Sequence, residues 1–520
     1  MRLAKKLAVV AGICGLAATT ATTGTAVSAV AGGPGQSSAV AGGPGQSSAV
    51  AGGPGQLSTV AGGPGQSSAV AGGTGNTGTA SASALADVIV RPAIRHIGTT
   101  RSAPTTTAQC EKLYSIACYE PAQLQQAYDL PWLYSHGITG RGRTIVIVDS
   151  FGSPTIRHDL AVFDSTFHLP APPSLQIIAP AGKIPPYNPK NSDMVGWAGE
   201  TTLDVEYAHT VAPGANILLV ETPVSETEGV HGFPQIVSAE EYVIKHYHAD
   251  VISQSFSATE ETFPSPARAS VNALRGANLA AQRSHVTMLT ASGDSGAADV
   301  GLNGSTYYLF PVTSWSDSDP LVTGVGGTQL HLNAAGRRTA PDNVWNDTYS
   351  KAANEFVFGD AGPNPDAGGG GKSVLFNRPG YQNGVKNVVG NSRGVPDISM
   401  SAACNGSVDT YSSFTGAPAG WSQTCGTSEA TPLFAGVVAL AAQLAGHPLG
   451  LINPALYEMS LHGLPGIVPV TKGNNTVSFR QGGHEYTVHG FNAKAGYSLA
   501  AGVGTVDGRN FVPELAALVG

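Results

Sequence analysis

The chain has 520 residues, of which 42% are apolar and only 12% charged, and its 27 Lys and Arg stand against 35 Asp and Glu for a net charge of −8. The apolar share is enough for a sizeable core, and the absence of any basic run argues against nucleic-acid binding, which needs clustered cations. So sparsely charged a surface holds few cations to repel one another once acid neutralises the carboxylates, and tolerance of low pH is expected.

The chain opens on "MRLAKK", a basic run, then "LAVVAGICGLAA", an apolar stretch too short to span a bilayer, then small residues ending near Ala29. This is the pattern of an export signal, and it predicts a secreted, extracellular protein without a membrane span. Bulky Ile13 before Cys14 makes a poor lipid-attachment box. Loss of residues 1–29 leaves Cys110, Cys118, Cys404 and Cys425. An even count in an exported chain suggests two disulfides, and proximity favours Cys110–Cys118 and Cys404–Cys425 over the other pairings or free thiols.

Residues 29–73 repeat "AVAGGPGQSS" every ten residues. The unit has too little apolar surface to offset its ordering entropy, so 30–119 is read as a repeat tether and linker, able to hold the protein near a cell wall. A single domain, monomeric, is expected over 120–520. There "RTIVIVDS" (143–150), "NILLVE" (216–221), "DVISQS" (250–255) and "VTMLTASG" (286–293) read as buried strands. "GETTLDVEYAHTV" and "SAEEYVIKHYHA" read as helices between them. The alternation predicts an α/β fold, a doubly wound, mainly parallel sheet with helices on both faces. Chemistry in such sheets gathers at the carboxyl ends of strands, where Asp149 and Asp294 fall.

Three segments carry candidate chemistry. In "GTSEATPLFAGVVALAAQLAG", Ser428 opens an apolar helix, with Pro432 placed in its first turn. The serine is either an N-cap or a nucleophile whose N–H faces an incoming oxyanion. In "GWAGETTLDVEYAHT", Glu200 and Asp204 are four apart and share a helix face, near Trp197, Leu203 and Tyr207. They are either a solvated acidic face or a buried pair that shares a proton, one acting as base while the other orients it. In "TASGDSGAADVG", Asp294 follows a strand in a Gly-rich turn, either as an Asx-turn residue or as a protonated acid that donates to an oxyanion.

In this order, "GETTLD", "SGDSG" and "GTSEATP" resemble the signature of the sedolisins, the serine-carboxyl peptidases. "GITGRGRTIVIVDS", "VAPGANILLVE", "GGGGKSVLFNRPGYQ" and "GVPDIS" look like sedolisin segments as well. The resemblance implies a subtilisin-like fold and an acyl-enzyme on Ser428. It also implies Glu200 as general base, Asp204 as its orienting partner, Asp294 in the oxyanion hole, and protein or peptide substrates. A glutamate with an ordinary pKa of about 4.3 stays ionised in mild acid, where an aspartic acid can still donate, so acid activity is expected.

The chain departs from that family twice. Sedolisins hold calcium near the C-terminus with two aspartates and backbone carbonyls; Pro469 and Ser498 stand at those positions here, so no cofactor is expected. Lys494 or Lys472 is a candidate for the missing positive charge. The Cys404–Cys425 loop, worth roughly 3 kcal/mol in the chain-entropy model, would brace the fold instead. The second departure is that residues 30–119 leave little room for a folded propeptide. Rival readings are a subtilisin-type triad of Asp149, His209 and Ser428, a chymotrypsin-like serine at Ser295, a catalytically silent binding protein, and a metal at His246 and His248.

Overall fold

The computed structural model describes residues 95–519. The export signal, Cys14 and the decapeptide repeats lie outside the described residues.

The apolar runs form an eight-stranded sheet. Its order is Asn343–Val344, Thr323–Gln329, Thr287–Ala291, Val251–Gln254, Thr144–Ser150, Asn216–Thr222 and Leu175–Ile178, with Ile398–Ser401 also beside Thr323–Gln329. Pairing is parallel except at the short Asn343–Val344 edge. Strand residues alternate between faces, so each central strand feeds two cores. Ile145 and Ile147 pack with Leu203 and Val437 on one side, and Val146 and Val148 with Phe233 and Val243 on the other. Continuous burial on both faces explains why these strands read as unbroken apolar runs.

Two helices of the first face carry the candidate residues. Ser192–Val211 begins where the Asn191 side chain accepts from the N–H of Asp193 and Met194, at 2.9 and 3.3 Å. It is buried almost all round and lacks a single apolar stripe. Thr427–Ala445 is buried over its first sixteen residues, Thr427 to Ala442. This is the one helix among the described residues long and apolar enough to cross a membrane, and it is a core helix. The two helices meet at Gly436, where a Cβ would lie 2.5 Å from Val211 Cβ. Pro432 falls in the second turn rather than the first, so it gives no N–H to the Ser428 carbonyl four residues back.

A second sheet joins Arg95–Arg101, Gly420–Cys425, Ser407–Ser412 and Cys118–Tyr119. Part of the stretch read as linker therefore packs into the fold, with a helix at Thr107–Tyr114 between its two strands. Disulfides join Cys110 to Cys118 and Cys404 to Cys425, the pairing that proximity favoured. A buried ion pair fixes the C-terminal part. Arg393 Nη1 donates to Asp397 Oδ1 at 2.7 Å, and Tyr457 Oη and Gly324 N donate to the same carboxylate at 2.8 and 2.9 Å.

Candidate active site

Ser428 is the second residue of its helix, behind Gly426, whose φ of 127° suits glycine. Its N–H is one of the first-turn amides without an intrahelical acceptor. Ser428, Glu200 and Asp204 are all fully buried, and Asp294 is 4% exposed.

Asp294 is held from two directions. Thr427 donates to its Oδ1 through both the backbone N–H and Oγ1, each at 2.7 Å. Its backbone carbonyl accepts from Ala367 N at 3.0 Å, and Gly293 N donates to Thr427 Oγ1 at 3.2 Å. The loop after Thr287–Ala291 is thereby tied to the start of the serine helix.

Glu200 and Asp204 share the face of their helix turned to the serine helix and the sheet. Ser255 Oγ donates to Asp204 Oδ1 at 2.8 Å. No hydrogen bond of ordinary geometry joins Ser428 Oγ to Glu200. The two lie near enough, however, for the hydroxyl to pull the Glu200 pKa down against a larger upward push. That push is burial first, then the neighbouring carboxyls Asp149 and Asp294. Burial likewise holds Asp204 well above the ordinary range, with Asp149 and Glu200 adding to it. No cation stands among the causes for either group. Like charges in low dielectric cannot all ionise, so the group keeps protons in mild acid.

Asp149, which sequence reading placed at a strand end and in a rival triad, is a further member of the group. It sits at the carboxyl end of Thr144–Ser150, on the face of Ile145 and Ile147; burial brings it to about 7 against an opposing pull from the Thr201 hydroxyl, with repulsion from Glu221 the smallest contribution. A strand-end aspartate has no local signature of this; parallel register brings it under the glutamate helix.

The other candidates lie apart. His209 Nε2 sits 2.7 Å from the Pro170 carbonyl and 3.3 Å from Asp164 Oδ1, turned to a different wall from Ser428. Ser295 forms a single bridge with Ala367 in a parallel α/β frame, not a β-barrel. His246 and His248 are exposed, and His246 stacks on Tyr242. Among the described residues, the one group of three side chains close enough to share a metal is Asp347, Asp366 and Cys404, and Cys404 is in a disulfide.

The calcium that the sedolisin resemblance implies does not fit the residues here. Pro469 offers no side-chain oxygen. Ser498 Oγ accepts from Ala501 N at 3.2 Å, and the Ser498 and Gly502 backbones exchange two hydrogen bonds of 2.9 Å. Lys494 and Lys372 line the same cavity of about 330 Å³ as Ser498. Lys472 faces a separate groove with Asn346 and Tyr349. Calcium prefers anionic oxygens, and lysines beside the loop repel it.

Residues 187–482 match the subtilase family profile. The chain is 30% identical to kumamolisin of Bacillus sp. (strain MN-32) over 371 residues, 70% of this chain and 58% of kumamolisin. It is 30% identical to sedolisin of Pseudomonas sp. (strain 101) over 226 residues, 42% of this chain and 33% of that protein. It thus spans less than two thirds of the length of either relative. The solved structure of Pseudomonas sedolisin, a serine-carboxyl proteinase, superposes with a TM-score of 0.61 and 25% identity, covering 81% of this chain and 99% of the other. The chain belongs to the subtilase family, and its relatives within it are the sedolisins.

Proposed function

We propose that the protein is a secreted, acid-active serine-carboxyl endopeptidase acting on protein or peptide substrates outside the cell as a monomer. Ser428 Oγ attacks the scissile carbonyl carbon, and its proton passes to Glu200. The oxyanion takes hydrogen bonds from the Ser428 N–H and from Asp294, which must carry a proton to donate. Collapse of the tetrahedral species breaks the C–N bond. The amine leaves with the proton from Glu200, and water then cleaves the ester by the same steps in reverse. Asp204, fixed by Ser255, orients Glu200.

What supports this reading is the cation-free carboxyl group packed against Ser428, with the histidine of the same helix engaged elsewhere. Burial and the neighbouring carboxyls hold Glu200 above the ordinary carboxylate range, and the Ser428 hydroxyl pulls it back toward the charged form that a base needs. The pH dependence of kcat/KM tests the whole. A bell with its maximum below pH 7 is expected, and a maximum above pH 7 contradicts it. We propose further that the fold needs no calcium. A chelator should leave the melting temperature unchanged, whereas a rise on adding calcium would refute this.

A further inference from the structure

Beside the carboxyl group lies a pocket of about 170 Å³ that the catalytic reading does not use. Its walls include Phe151, Ile184, Pro185, Tyr187 and Met194, and Glu221 is its one charged lining residue. The volume suits a single amino-acid side chain rather than a whole small-molecule ligand.

The pocket is built, and it adjoins the site. Phe151 N donates to the Thr222 carbonyl at 2.9 Å, fixing the turn that follows Asp149. Tyr187 Oη donates to the Thr415 carbonyl at 2.6 Å, which holds the outer wall. Met194 is on the same helix as Glu200, six residues earlier. Glu221 pairs in register with Asp149 on the neighbouring parallel strand, so both project from the same face.

Glu221 is unlike the other acids near the centre. Its side chain lies across Gly152, where a Cβ would come within 2.0 Å of Glu221 Oε1. Only a glycine leaves the carboxyl room there, and the φ of 70° at Gly152 suits one as well. The carboxyl is partly exposed to the pocket and has no hydrogen-bond or ion-pair partner among the described residues. Burial without a compensating cation raises its pKa to about 7, and a cation seated beside it would draw that value down and keep the carboxylate charged in mild acid. A half-buried carboxyl at the end of an apolar slot is complementary to a cation on an apolar stem.

We propose that this pocket is a specificity subsite for a lysine or arginine side chain of the substrate, whose stem lies against Phe151, Tyr187 and Met194 and whose cation meets Glu221. The proposal rests on the reading of Ser428 as the nucleophile of a peptidase. Glu221 repels Asp149, and Asp149 in turn repels Glu200, which sets the pocket beside the catalytic carboxyls.

The test is a peptide library varied at each position around the scissile bond, cleaved by the natural protein and by Glu221→Gln. At one position, Lys and Arg should be preferred over norleucine, and the preference should fall by about ten- to a hundredfold in the variant. Glu221→Lys should turn the preference at that position toward Glu and Asp. No basic preference at any position, or one that Glu221→Gln leaves intact, overturns the subsite while leaving the peptidase reading standing. If no peptide is cleaved, the peptidase reading fails by itself. The subsite is then decided by the affinity of Ser428→Ala protein for labelled arginine and norleucine peptides, and equal affinities overturn it.

Discussion

Two buried carboxylate settings flank the same sheet and have been compensated differently. Asp397 accepts from the Arg393 guanidinium, Tyr457 Oη and Gly324 N. The Glu200–Asp204–Asp149 group has one firm donor, Ser255 on Asp204, and no cation. A carboxylate with its charge and lone pairs satisfied holds structure. A carboxyl group left short of partners can exchange protons near the working pH, as a general base must.

The largest stability effect should come from breaking the satisfied member. Arg393→Met leaves Asp397 buried and uncompensated, and should cost about 3–5 kcal/mol in chemical denaturation. Activity per folded molecule should be retained; a loss below 1 kcal/mol would erase the distinction between the two settings.

A smaller effect should come from pH. Burial raises Asp347 to about 6, Asp149 and Asp409 to about 7, and Glu240 to about 8. These groups bind protons more tightly folded than unfolded, where a carboxyl titrates near about 4. Their contribution is complete below that value and is lost as pH rises through the folded pKa values. The melting temperature should therefore fall between about pH 4 and 8, the reverse of ordinary acid denaturation. Glu200→Gln should narrow that fall slightly, being neutral at low pH and stabilising near neutrality. A melting temperature that climbs across this window would contradict the assigned directions.

Much of this was legible in the chain because the physics was local. Apolar runs located the central strands to within a few residues, and proximity paired the cysteines. The start of the glutamate helix was not legible: Asn191 caps it well before Gly199, where the stretch read as a helix begins. Nor was the contribution of Arg95–Tyr119, whose Thr- and Ser-rich composition reads as linker until it pairs with strands some 300 residues away. Glu200, Asp204, Asp294 and Ser428 stood out as candidates, and the roles proposed for them come from the resemblance of their three motifs to the sedolisin signature. Asp149 was visible as a strand-end acid but its place beside Glu200 was not, and Glu221 was not visible at all, because both depend on a parallel register that no short window contains.

The central claim is that a carboxylate rather than an imidazole receives the Ser428 proton. Its most direct test compares kcat/KM for Glu200→Gln and His209→Ala on one peptide at the pH optimum, per folded molecule. The account predicts a loss of roughly 10³-fold or more for Glu200→Gln, and less than about tenfold for His209→Ala. The opposite ranking would contradict it.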